Sequence, residues 1–365
     1  MPDFIHPSSV GDITPHWLTD VLHSSGALNA AAKVVALTPT RIGEGIGIMG
    51  QLHAVALTYE GPSEGAPASV VVKMPSAFED NRAQGVNLGM YEAEVRFYRE
   101  LAADTGAGLP VIYFSEIVSG TADFAIVMED LSHLEMVDQS AGMSAAQAGA
   151  AVRVIANVHA AWWGKVATDA LECIPTTGGP RIQMVAQMLP DLVPIFLERF
   201  ADRLPEGAVE HAEWFGANAL AVYNALASVT PMTLIHSDYC VENVMFGDPA
   251  ADEVIIIDWQ GMARGPGIYD IAYLLSGSMD PAIRRSHERE LVRQYHEHLA
   301  THGVDYPAEK AWDDYRLGNT VGGLATSVFA GASLDLANER GFELIATMAA
   351  RHFGAAIELD ARSLV

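Results

Sequence analysis

The sequence predicts an α+β fold in two lobes, strands with a helix over residues 1–131 and a larger, mainly helical lobe over 132–365. Three observations predict it. Segments with strand-like alternation crowd the first third of the chain. Helical spacing dominates from Ser144 onward. A length of 365 residues, 50% of them apolar, supplies enough side chains for sizeable cores.

Taken in order, Thr14, Pro15 and the pattern Trp17, Leu18, Val21, Leu22 predict a capped amphipathic helix ending near Gly26. Val34 to Arg41, Gln51 to Tyr59 and Ser69 to Lys73 read as strands, with a turn over Gly61 to Pro67. Tyr91, Glu94, Tyr98 and Leu101 share one face of a helix. Leu109 to Phe114 and Phe124 to Met128 are further strands, and the lobes join near Glu129 to Ser132. Ser144 and Gln147 form a capping box that opens a helix running to Gly164.

Composition narrows the function classes. A formal net charge of -25 argues against nucleic acid and anionic membrane surfaces, both of which reward basic patches. Cys173 and Cys240 form no C-x-x-C pair, and Met1 to Asp20 lacks the basic-then-apolar pattern of a secretory signal, so a cytoplasmic protein is expected. Leu317 to Leu334 is uncharged over about the length of a membrane span. Its glycines, Asn319 and hydroxyls favour a packed helix or helix pair, and no membrane insertion is expected.

Gly45, Gly47 and Gly50 match G-x-G-x-x-G, a pattern shared by dinucleotide-binding and kinase-type folds. A dinucleotide fold opens a helix at these glycines, whereas the alternating segment Gln51 to Tyr59 follows here. The kinase-type loop is preferred, with Gly45 and Gly47 closing over ATP phosphates. Lys73 ends the apolar run Val70 to Val72, where an ammonium either snorkels to solvent or meets a partner. Glu94 lies in an apolar helical stripe and wants a counter-charge, while Glu92 can pair with Arg96. A Lys73–Glu94 pair would hold the lysine toward the phosphates.

The sharpest signal is His236-Ser237-Asp238-Tyr239-Cys240-Val241-Glu242-Asn243, followed by apolar residues, a turn, and Val254 to Ile257 leading into Asp258. In-line phosphoryl transfer needs a carboxylate for the acceptor hydroxyl and oxygen ligands for Mg²⁺. Asp238 reads as the base and Asn243 and Asp258 as metal ligands. A hairpin around Gly247 to Asp252 would bring Asn243 and Asp258 together at its open end. His236 reads as a brace for the loop.

This segment resembles the aminoglycoside phosphotransferase and choline kinase superfamily, and is most similar to its ecdysteroid-kinase-like branch. VVVKMP (Val70 to Pro75), YEAEVRFYREL (Tyr91 to Leu101), MEDLS (Met128 to Ser132), VHAAWWG (Val158 to Gly164) and DWQGMARGPGIYDIAYLL (Asp258 to Leu275) carry the likeness. The resemblance implies a protein-kinase-like two-lobed fold, with an antiparallel sheet plus helix in the amino-terminal lobe. It implies transfer of the ATP γ-phosphate to a hydroxyl of a small organic molecule, with Mg²⁺. It also makes Glu129 to Leu131 a hinge meeting adenine by its backbone, and Asp270 a brace for the catalytic loop.

Ser237 stands where the superfamily often has Gly, and Cys240 where serine/threonine kinases place a lysine. Asp258-Trp259-Gln260 replaces D-F-G, and no A-P-E element follows, which disfavours a protein substrate. An alcohol kinase is therefore expected, with an aminoglycoside phosphotransferase or a silent nucleotide-binding protein as alternatives. His298 and His302 are read as a solvated helix face, and Trp162 and Trp163 as core rather than pocket.

Overall fold

In a computed structural model of the chain, which describes residues 6–43, 50–106, 108–168, 171–172, 174–333 and 338–365, Thr14 caps the first helix. Its hydroxyl accepts from Trp17 N–H at 3.2 Å, and Pro15 takes the first helical position of α1 (Pro15–Ser24). The chain divides into a unit of Met1–Ala103 with Leu109–His133 and a unit of Asp104–Gly108 with Leu134–Val365.

The first unit is built on an antiparallel sheet. Its strands are β1 (Lys33–Ile42), β2 (Gly50–Glu60), β3 (Ser69–Pro75), β4 (Ile112–Ile117) and β5 (Phe124–Glu129), in the order β1-β2-β3-β5-β4. Side chains alternate between the faces of a strand, so Val70, Val72 and Met74 share one face of β3 and Val71 and Lys73 the other. The first face packs with Val55, Val127 and Phe114 against Trp17, Leu18, Val21 and Leu22 of α1. Beyond β3 come α2 (Glu79–Asn87) and α3 (Met90–Arg96), which passes into a π-helical turn at Phe97–Leu101.

Three details differ from the sequence reading. β3 continues past Lys73 to Pro75. β4 begins at Ile112 rather than Leu109, because Pro110 has no N–H to give a ladder. Arg96 pairs with Glu100 at 3.0 Å, while Glu92 accepts from Ser119 Oγ at 2.7 Å.

The second unit is mainly helical. α4 (Ala145–Trp162) opens with the expected box: Ser144 Oγ accepts from Gln147 N–H at 3.3 Å and Gln147 Oε1 accepts from Ser144 N–H at 3.0 Å. α5 (Pro180–Phe200), α6 (Ala208–Ala227), α7 (Ile268–Ser278), α8 (Pro281–Thr301), α9 (Ala308–Gly318), α10 (Gly322–Ser333) and α11 (Glu339–Glu358) follow. Phe196, Phe200, Phe215, Val328 and Phe353 centre one core between α5, α6, α10 and α11. Short strands frame the loop that matters below. β6 (Glu135–Met136), β8 (Val244–Phe246) and β9 (Val254–Ile256) form one sheet, and β7 (Thr233–Ile235) pairs with β10 (Ala263–Gly265). The uncharged stretch from Leu317 falls into the end of α9 and into α10, a helix pair. Among the described residues no helix is long and apolar enough to cross a membrane.

Candidate active site

Lys73 and Glu94 are brought together by regular structure alone. Lys73 points from the face of β3 opposite α1, and α3 presents Glu94 with Tyr91 and Val95 as its buried residues. Lys73 Nζ lies 2.7 Å from Glu94 Oε2, with the side chains 8% and 1% exposed, so the lysine does not snorkel. Burial of two charges is tolerated only with such close pairing.

Asp238 sits on irregular backbone between β7 and β8. Ser237 has the left-handed φ of 69°, and Asn243 closes a 3₁₀ turn over Val241–Asn243. Asn243 Nδ2 donates to the Asp238 carbonyl at 2.8 Å and makes a longer contact, 3.4 Å, with Asp238 Oδ2. β8 and β9 are an antiparallel hairpin with Met245 opposite Ile255. At its open end Ile257 N–H donates to the Asn243 carbonyl at 3.0 Å, which sets Asp258 beside Asn243 in the backbone ladder. Asp258 is also left-handed, with φ 64°.

The loop is clamped by Asp270, fully buried on α7. Asp270 Oδ2 accepts from His236 N–H at 2.7 Å and Oδ1 from Ser237 N–H at 2.9 Å. His159 Nε2 lies 3.2 Å from Asp270 Oδ2, and His159 Nδ1 lies 2.9 Å from Tyr295 Oη. A Cβ at Gly267 would collide with Tyr295 Oη and His159 Nδ1, so only glycine lets α7 start this close. His236 braces the loop from inside. Its Nδ1 accepts from Asp238 N–H at 3.3 Å, which leaves Nε2 to donate to the Ile257 carbonyl at 2.9 Å. The Trp259 ring, 4.8 Å from the imidazole, packs against it.

Three contributors were not singled out from the sequence. His159 and Tyr295 support Asp270, and Tyr273 Oη donates to Asp238 Oδ1 at 3.0 Å. The spacing of Tyr273 one turn after Asp270 was the available signal. Burial raises the Asp238 carboxyl above the usual carboxylate range, and the Asp258 carboxylate adds to it. Hydrogen bonds from Tyr273 and Asn243 oppose the rise. Burial likewise pushes the Tyr273 phenol well up, so it stays a neutral donor.

Of the other residues singled out, Gly45 and Gly47 lie outside the described residues. Glu129 ends β5, its N–H donating to the Val111 carbonyl at 2.8 Å and its Oε2 accepting from Val111 N–H at 3.1 Å. Leu131 is buried next to Asp130, which accepts from Ser69 Oγ at 2.5 Å. His298 is half-buried, its Nε2 2.8 Å from Asn157 Oδ1 of α4, and His302 is exposed. Trp163 is half-buried with its ring 5.1 Å from Tyr306. Among the described residues no group of three or more His, Cys, Asp or Glu could hold a metal by itself.

The antiparallel amino-terminal sheet, the helical second unit and the clamped loop define a kinase-like α+β fold related to small-molecule kinases. The ecdysteroid kinase-like family matches residues 44–305, and the chain belongs to that family. Choline kinase from Cryptosporidium parvum Iowa II is similar in structure, with a TM-score of 0.57 at 9% identity, covering 95% of this chain and 97% of that one. Plasmodium vivax ethanolamine kinase gives 0.51 at 13% identity, covering 94% and 88%. Wild-type aminoglycoside 2'-phosphotransferase-IIIa, solved with GDP, gives 0.51 at 14% identity, covering 92% and 98%. No curated protein sequence matches this one significantly.

Proposed function

We propose that the protein is an ATP-dependent kinase of small organic alcohols, with residues 1–131 as nucleotide-binding lobe and 132–365 as catalytic and substrate lobe. The observation that carries this reading is the loop from His236 to Asn243. It is irregular backbone that carries Asp238 and Asn243, and a buried carboxylate holds it at two consecutive N–H groups. Asp238 takes the proton of the acceptor hydroxyl as its oxygen bonds to the γ-phosphorus. The bond from that phosphorus to the β–γ bridging oxygen breaks, and ADP leaves.

Lys73, oriented by Glu94, and the backbone at Gly45 and Gly47 hold the phosphates, and the backbone at Glu129 to Leu131 meets adenine. Asn243 and Asp258 fit Mg²⁺ as a donor set. Asn243 Nδ2 is spent on Asp238, which turns Oδ1 the other way, and Asp258 adds a carboxylate. Two protein oxygens suit Mg²⁺, which completes its shell with phosphate and water. When bound, the metal neutralises phosphate charge.

ATP consumption is measured with Mg²⁺ against a panel of alcohols, sterols, amino sugars and hydroxyacyl thioesters, for the natural protein and Asp238→Asn. Turnover with one class, lowered roughly 10²- to 10⁴-fold by the substitution, is expected. No consumption with any acceptor, while ATP binds, would favour a silent binding protein. Aminoglycoside turnover alone would replace the general alcohol reading.

A further inference from the structure

α7 grips the loop twice. Asp270 takes the backbone of His236 and Ser237, and one turn later Tyr273 reaches the Asp238 carboxylate itself. The Tyr273 side chain is confined, with ring centroids 6.3 Å from Tyr269 and 5.3 Å from His352. The two oxygens of Asp238 are therefore unequal. Oδ1 accepts from the Tyr273 hydroxyl at 3.0 Å, while Oδ2 has the 3.4 Å contact from Asn243. The terminal torsion of an aspartate is broad and two-fold, so an untethered carboxylate would exchange its oxygens readily.

We propose that Tyr273 is a positioning residue for phosphoryl transfer, its hydroxyl pinning Asp238 Oδ1 so that Oδ2 is the oxygen presented to the acceptor. The inference rests on the kinase reading, in which Asp238 is the base. A phenol retained only to satisfy a buried hydroxyl would act on stability and not through Asp238. The difference is measurable as coupling between the two side chains.

The experiment compares natural protein, Tyr273→Phe, Asp238→Asn and the double variant. Each is given MgATP with water as acceptor, and with the best alcohol of the panel. Tyr273→Phe is expected to lower kcat about ten- to a hundred-fold, the cost of a misplaced reacting group, with KM for ATP and the melting temperature unchanged. In the Asp238→Asn background the same change is expected to have no effect. An equal fall in both backgrounds, or no fall with Asp238 present, overturns the inference. Where Tyr273→Phe does not fold, Tyr269→Leu keeps the phenol and removes the ring stacked on it, and the same coupling, smaller in size, is expected; its absence there overturns the inference. Full activity in Asp238→Asn, or none in the natural protein, removes the kinase reading and this inference with it. Lost activity in Asp238→Asn beside an unaffected Tyr273→Phe removes the inference alone.

Discussion

Lys73 stands in the middle strand of a regular sheet and meets Glu94 from a regular helix, whereas Asp238 stands on irregular backbone tied to α7 by side chains. In the first region register does the positioning: strand alternation chooses the face for Lys73 and helical spacing chooses it for Glu94. In the second region no register exists, and Asp270, His236 and Tyr273 supply the missing constraints one hydrogen bond at a time. A charged group on a regular element is placed by that element's own period. One on a loop needs a scaffold of buried polar groups, each satisfied by the next.

The comparison is sharpened most by Asp238→Ala, which is expected to lower turnover by roughly 10² to 10⁴ while ATP binding, measured by calorimetry, persists. Asp270→Ala tests the scaffold. It leaves the N–H groups of His236 and Ser237 and the His159 ring without their acceptor, and should cost the second unit about 4 kcal/mol in denaturant unfolding. A cost under about 1 kcal/mol would mean the loop holds itself.

Lys73→Met is expected to cost the first unit about 3 kcal/mol by removing the ammonium beside the buried Glu94 carboxylate, and Lys73→Met with Glu94→Leu should recover most of it. Failure of the double variant to recover would show that register alone does not set this region.

Acid has a smaller effect on the second unit. Burial lowers His352 to about 3 and His211 to about 4 from 6.5, and both belong to the second unit. Above 6.5 folded and unfolded forms are alike neutral. As pH falls below 6.5 the unfolded chain takes up protons that the folded unit refuses, so stability is lost down to about pH 3. Unfolding followed by tryptophan fluorescence in His352→Gln should show a flatter loss. Smallest is Ser144→Ala, about 1 kcal/mol for the cap of α4.

Legibility in the sequence followed the same division. The Lys73–Glu94 contact could be anticipated because two short periodicities pick out the same pair, and the hairpin after Asn243 because its turn is flanked by apolar runs. α2 was invisible: of its residues only Gly85 is buried, so no apolar stripe marks it. His159 and Tyr295 were missed for another reason. His159 meets Asp270, and Tyr295 meets His159, each across a sequence gap of more than a hundred residues, and no local pattern records such a meeting. Tyr273 lay within a recognised phrase, but its hydroxyl's destination depends on how the loop folds back over α7.

The left-handed backbone at Ser237 bears on how the loop can change over time. That conformation costs a non-glycine residue about 1 kcal/mol, and Ser237 keeps it with its N–H fastened to Asp270. Glycine would adopt it freely, at some cost in unfolded-chain entropy. Ser237→Gly is thus an open route for drift, whereas a β-branched residue there is closed off. Lineages can exchange serine and glycine beside Asp238 without renegotiating the clamp, and engineers can use the same door.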